Sequence, residues 1–194
     1  ALPPHPRNAM WLLEAGALED PDPHVQLAAL LALADIPNES DVAGAAVAAA
    51  IANPRVHSHR WLSDAATCAA ARHGGSFLRA LASTMDSLPA AIRGRVAIVA
   101  EHFARSRPNV TELSKLLSAS PKAQPEYNAA VLAGIAKGWP KDHSVNLDES
   151  ADEAIAKLLV TLPSGSKGQL VKLASAWGSD AVEKHSAAIV NALR

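Results

Sequence analysis

Apolar residues recur along the chain at the three- and four-residue spacing of a helix. Leu27, Leu30, Leu31 and Ala34 form one stripe, and Ile92, Val96, Val99 and Phe103 form another. Val131 and Ile135 continue a stripe begun at Tyr127. Ile155, Leu158, Leu159 and Leu162 follow, then Leu170, Leu173, Ala174 and Trp177. The β-branched runs that strands need are missing. The pattern predicts an all-α chain of about eleven helices, near residues 7–19, 23–35, 39–52, 55–72, 75–86, 89–106, 109–119, 124–138, 148–162, 164–177 and 179–193.

The prolines mark the joints. Inside a helix a proline costs ~3 kcal/mol, whereas in the first turn its missing N–H has no partner to lose. Pro23, Pro54, Pro89, Pro125 and Pro163 each open a helix in this reading, and they recur at intervals of 31 to 38 residues. An interval that holds two helices predicts an α-α superhelix, a solenoid of five to six helix pairs. Asn109 with Glu112, and Asn146 with Glu149, fit capping boxes. Gly74-Gly75 reads as a stop between two helices, where left-handed backbone is cheap. The 42 alanines of the 194 residues let helices approach towards the short end of the ~8–10 Å range.

Asp22-Pro23-His24-Val25 and Asn53-Pro54-Arg55-Val56 occupy the same place in successive units. This pattern resembles the HEAT repeat of the HEAT/ARM-like superhelices, whose units cover one another's apolar faces. Leu88-Pro89, Gln124-Pro125 and Leu162-Pro163 depart from the Asp-Pro or Asn-Pro form, so the later units are divergent. A non-repeating helical bundle is the alternative. A more particular resemblance rests on Trp61-Leu62-Ser63-Asp64-Ala65, on His73 to Leu81, and on the run Val131 to Trp139. These resemble the HEAT-like segment of large planctomycete-type bacterial membrane-bound dehydrogenase and c-type haem multidomain proteins. The resemblance implies export, to a periplasmic or extracellular setting, and neighbouring dehydrogenase-like and haem domains. The chain has no Cys-x-x-Cys-His haem site and no propeller sequence, so none of that family's catalytic or haem residues has a counterpart here. Residues 1–194 are read as a single helical-repeat domain belonging to a larger multidomain protein.

Composition narrows the function classes. Hydrophobic residues at 49% argue against disorder. One cysteine, Cys68, excludes an intrachain disulfide. The longest small-and-apolar stretch, Val42 to Ala52, falls short of the ~20 residues that span a bilayer. The net charge is −1, which removes a strongly polyanion-seeking chain, but the charge is uneven. Residues 1–54 carry seven acidic side chains and one basic; residues 55–107 carry eight basic and three acidic.

Candidate chemistry is thin. His57 and His59, two apart, would point away from each other on a helix, whereas a shared metal ion wants a spacing of three or four. They and His73 read as solvated residues at helix ends. His102 and His143 have no convergent partner in sequence, and His185 reads as half-buried on the last helix. Cys68, flanked by alanines, reads as a small thiol buried at a helix contact rather than a nucleophile. Gly165-Ser166-Lys167-Gly168 lacks a preceding strand and the full phosphate-loop spacing, and reads as the start of a helix. Trp11, Trp61 and Trp177 fall on apolar faces as wedges, and Trp139, before Pro140, is the one expected to be exposed.

No catalytic residue, cofactor or metal ligand is assigned. The expected function is a non-catalytic scaffold or protein-interaction domain, with a protein or neighbouring domains of the same chain as partners. The candidate interaction surface is Arg93, Arg95, Trp139 and Lys141. The alternative is a nucleic-acid or polyanion binder using the basic middle region. The simpler reading is that those arginines form a solvated surface, which disfavours nucleic acid as a partner.

Overall fold

The computed structural model describes residue 5 and residues 7–84 and 88–184. Twelve α-helices lie among them: α1 Asn8–Glu14, α2 Pro23–Ala34, α3 Asp41–Ala52, α4 Pro54–Ser58, α5 Arg60–Arg72, α6 Gly74–Thr84, α7 Ala90–Arg105, α8 Val110–Ala119, α9 Pro125–Gly138, α10 Glu149–Thr161, α11 Ser164–Ala176 and α12 Ala181–Lys184. A 3₁₀ turn, Ser120–Lys122, follows α8. No described helix is long and apolar enough to cross a membrane.

The helix starts follow local chemistry. Pro23, Pro54 and Pro125 are first residues of their helices, and Pro89 and Pro163 sit one position earlier. Asp22 and Asn53 each accept the N–H two residues on, at 2.8 and 3.0 Å. Asn109 and Glu112 form the expected reciprocal box. At α10 the cap is Asp148, which accepts the N–H of Ala151 at 2.9 Å, and not Asn146. A carboxylate at that place also complements the helix dipole.

Three joints differ from the sequence reading, the first being that the helix expected over 7–19 ends at Glu14. The helix expected over 55–72 is broken at His59, whose backbone is extended and whose ring nitrogen takes the N–H of Leu62 at the start of α5. His57, Ser58 and His59 are weak helix formers with little to hold the chain helical across the gap. Gly74 and Gly75 do not stop a helix; they are the first residues of α6. Their hydrogens make room for Phe103, because a Cβ would sit 3.2 Å from its atoms at either position. Left-handed backbone falls at Arg107 (φ 58) and, among the glycines, at Gly16 and Gly178 (φ +66 in both) instead. There Ala17 and Ser179 donate back to Leu12 and Ala174, closing Schellman motifs after α1 and α11. The expected last helix is described only over 181–184.

Packing links each helix to one about a helix pair further along the chain. α2 lies on α5, α5 on α7, α7 on α9 and α9 on α11. The others, apart from the short α4, which lies against α3 and α5, form a second series: α1 on α3, then α3 on α6, α6 on α8, α8 on α10 and α10 on α12. In the first series the partners run the same way. Asp64 meets Arg95 near the starts of α5 and α7, and Gly74 meets Phe103 near their ends. Gly134 and Gly138 of α9 lie on the carbonyls of Ala97 and Glu101, four residues apart on both helices. That seam is backbone against backbone. The buried side chains form one continuous apolar cluster, with Phe77, Leu30, Leu33, Ile92 and Trp177 among its largest members.

His73 ties the first links together. It is fully buried, not a solvated helix-end residue. The Ser40 N–H donates to its Nδ1 at 3.1 Å, so the proton sits on Nε2, which donates to the Leu33 carbonyl at 3.0 Å. Burial pushes the imidazole below its ordinary value; the Leu33 bond resists this, Arg72 adds to it and Glu39 opposes it. Arg72 Nε donates to the Ile36 carbonyl, and Glu39 accepts the Ser76 N–H at 2.8 Å, capping α6 from another part of the chain.

Candidate functional site

The four residues singled out from sequence occupy two separate places. Arg95 faces α5, where its guanidinium donates to Asp64 at 3.0 Å, Thr67 Oγ1 at 2.9 Å and the Ser63 carbonyl at 3.2 Å. Arg93, two residues away, lies on another face of α7 and is exposed. Neither is near Trp139, because both sit in the first half of α7, whereas Trp139 follows the end of α9, where Gly138 lies on the Glu101 carbonyl. Two further arginines, at the end of α7 and just after it, are paired as well. Arg107 binds Asp142, and Arg105 shares the carboxylate of Glu101 with Lys137. Glu101 is largely buried, and the Lys137 hydrogen bond, reinforced by Arg105, holds its carboxyl below the usual range. Of Arg93, Arg95, Arg105 and Arg107, Arg93 is the one without an ion pair among the described residues.

Trp139 and Lys141 belong to a strapped turn after α9. Trp139 leaves the helix with extended backbone, and Pro140 prevents its continuation. The Trp139 indole N–H donates to the His143 carbonyl at 3.0 Å, and its ring meets Trp177 edge-on at 5.5 Å. It is therefore half-buried rather than free. His143 Nε2 donates to the Pro108 carbonyl at 3.0 Å. Asp142, held below the usual carboxyl range chiefly by its bond from Arg107, anchors the turn to the end of α7. Between this turn and α11 runs a groove of about 560 Å³, lined by Trp139, Lys141, Gln169, Lys172 and Leu173. Lys141 and Lys172 are exposed on its walls.

A second groove, of about 590 Å³, was not foreseen from sequence. It lies between α1 and the outer side of α2, and Trp11, Leu12, Val25, Ala28 and Leu31 line it with Asp35 at its edge. Trp11 is 53% exposed and Leu31 48%. The signal was present in the sequence, since α2 is apolar around nearly its whole circumference. A helix of that kind ordinarily has neighbours on all sides. α2 buries Ala29, Leu30 and Leu33 and leaves Val25, Ala28 and Leu31 outward. α3 likewise leaves Val42, Ala45 and Ala49 exposed.

The remaining candidates stand apart. Cys68 is exposed, not buried. The inward stripe of α5 is Leu62, Ala66, Ala69 and Ala70, so Trp61, Asp64 and Cys68 share the outward side. Trp61 is 61% exposed beneath the Arg60 guanidinium. Trp177 is buried as expected, and Lys167 lies in the first turns of α11, so 165–168 is a helix start. His185 lies outside the described residues. Among the described residues no three His, Cys, Asp or Glu side chains are grouped to hold a metal ion. No protein-family model, no curated protein and no solved structure matches the chain.

Proposed function

We propose that this chain is a helical-repeat scaffold of the HEAT type, a two-row superhelix that holds neighbouring protein elements at fixed separation. The observation that carries the reading is the series α2, α5, α7, α9 and α11, each lying on the next and one helix pair apart in the chain. Such stacking makes each unit depend on its neighbours and yields an extended surface without a central cavity. The ionic groups fit the same role. Arg95, Arg107 and Glu101 spend their charge on joining helices rather than converging on a pocket. On the resemblance described above, the neighbours would be a dehydrogenase-like and a c-type haem domain of an exported protein.

A direct test is the separation of the two ends. With Cys68 replaced by serine, fluorophores on Asn38→Cys and Ser175→Cys report it by single-molecule energy transfer. One narrow distribution, unchanged by salt, is the expected result; a broad or multi-peaked one overturns the scaffold. Stoichiometric haem or metal in the purified chain would also count against it. Against the polyanion reading, Arg95, Arg105 and Arg107 are already paired, and a salt-dependent mobility shift with duplex DNA is the result that would favour it.

A further inference from the structure

We infer that the groove between the Trp139 turn and α11 binds a short extended segment of a partner protein in which an aliphatic residue stands between acidic ones. The inference rests on the scaffold reading and gives it a binding place and a partner class.

The charge of the occupant follows from the walls. Lys141 stands on the turn and Lys172 on α11, so each side of the groove carries a cation. Both are exposed, and neither has an ion pair among the described residues. Asp142 also lines the groove, but its carboxylate is held by Arg107, which lies outside the lining. The neighbouring Lys137 is occupied by Glu101. Two positive charges are therefore left for the occupant to answer.

Its size and polarity follow from the floor. Ala136 of α9 and Leu173 and Ala176 of α11 give the groove small apolar surface beside Trp139. The wall along α11 runs from Gln169 to Ala176, about 10 Å at ~1.5 Å per residue. An extended chain advances ~3.3 Å per residue, so about three residues lie along it. A helix of the same length and ~10 Å across would fill roughly 800 Å³, more than the groove's volume of about 560 Å³. A bare phosphate or sulfate would leave the apolar floor uncovered. The segment that answers walls and floor together reads acidic, aliphatic, acidic. The groove is also formed before anything binds. The Trp139 indole N–H holds the His143 carbonyl, the His143 ring lies 5.0 Å from the Trp139 ring and donates to Pro108, and Arg107, with left-handed backbone, holds Asp142. A turn already fixed in this way spares the occupant the cost of ordering it.

The test follows the fluorescence anisotropy of a labelled peptide, one leucine flanked on each side by two glutamates, titrated with the whole chain. Saturable binding is expected, weakened about tenfold on raising salt from about 50 to 500 mM. Lys141→Gln and Lys172→Gln should each weaken it about threefold, as for exposed ion pairs, and about tenfold together. Both positions are exposed, so the fold stays intact. Lys115→Gln, on α8 and outside the groove, should change nothing. Glycine in place of the peptide's leucine should weaken binding about tenfold or more. Binding indifferent to the paired lysine substitutions places the peptide elsewhere and overturns the site. Equal binding of the glycine peptide, or displacement by duplex DNA at equal charge, reduces the groove to a positive patch and overturns the partner class. The absence of saturable binding overturns both. None of these results alters the end-to-end distribution that tests the scaffold, so the two readings fail separately.

Discussion

The same substitution, glycine to alanine, should change sign between two helices in contact. At Gly134 an added Cβ would lie 2.2 Å from the Ala97 carbonyl oxygen and 2.7 Å from the Ala100 methyl. Both obstacles belong to a rigid helix, so no flexible side chain can swing aside. To restore ordinary contact the α7–α9 seam has to open by roughly 1 Å, and a gap of that size forfeits a quarter to a half of the dispersion energy across it. Overpacking of this kind costs about 1–3 kcal/mol. It also loosens the interface between the two helices with the most extensive mutual contact. Alanine returns up to ~1 kcal/mol through helix propensity. With the loosened seam added to the overpacking, Gly134→Ala should lose about 2 kcal/mol, or roughly 4–8 °C in Tm for a chain of this size. At Gly94, on α7 itself, nothing lies within 4 Å of the added atom. Gly94→Ala should therefore gain about 0.5–1 kcal/mol from the less disordered unfolded chain and the better propensity. Urea unfolding followed by circular dichroism at 222 nm measures both, with the m-value checked for constancy. If Gly134→Ala is as stabilising as Gly94→Ala, the close seam is not there, and the account of alanine and glycine packing fails with it.

Three further outcomes are expected. The depressed titration of His73 makes the chain less stable in mild acid. The unfolded chain binds a proton below the ordinary imidazole value of about 6.5 while the folded one resists it, so the urea midpoint should fall between pH 7.5 and 5.5; His73→Gln should flatten that slope, and a flat wild-type profile would refute the linkage. Tyr127 donates from a buried site to the Leu78 carbonyl at 2.6 Å, so Tyr127→Phe should cost about 1–2 kcal/mol, and an unchanged midpoint would show that the bond contributes nothing. Cys68, outward on α5, should react with a thiol reagent in the native chain as fast as in the presence of urea, and protection in the native state would contradict its placement.

The helices and their joints were legible because proline, Asx caps and aliphatic spacing act locally. Pro23, Pro54 and Asn109 do in the fold what their chemistry dictates in isolation. What could not be read was which side of an alanine-rich helix faces inward. In Arg60–Arg72 the stripes through Trp61 and through Leu62 look alike, since alanine fills both, and the packing of α5 between α2 and α7 chose the second. Cys68 and Trp61 were misplaced for that one reason. Gly74 and Gly75 misled differently. Paired glycines signal either a turn or a close approach, and only the position of Phe103 decides between them. The Trp139 turn was found through Pro140, but its partners Arg107, Pro108 and Trp177 are distant in sequence and left no local trace. The α1–α2 groove was missed because an apolar residue reads as core wherever it stands.

An interior of methyl groups and bare backbone also fixes how this fold can vary in form. Alanine and glycine have no rotamers with which to absorb a neighbour's displacement, so the spacing across the α7–α9 seam is set by main-chain contact. Tilt, by contrast, is set where bulky rings are inserted: Phe103 over Gly74 and Gly75, and Trp139 against Trp177. Variants whose helices cross at different angles are therefore to be sought at those rings, and exchanges among the alanines should leave those angles as they are.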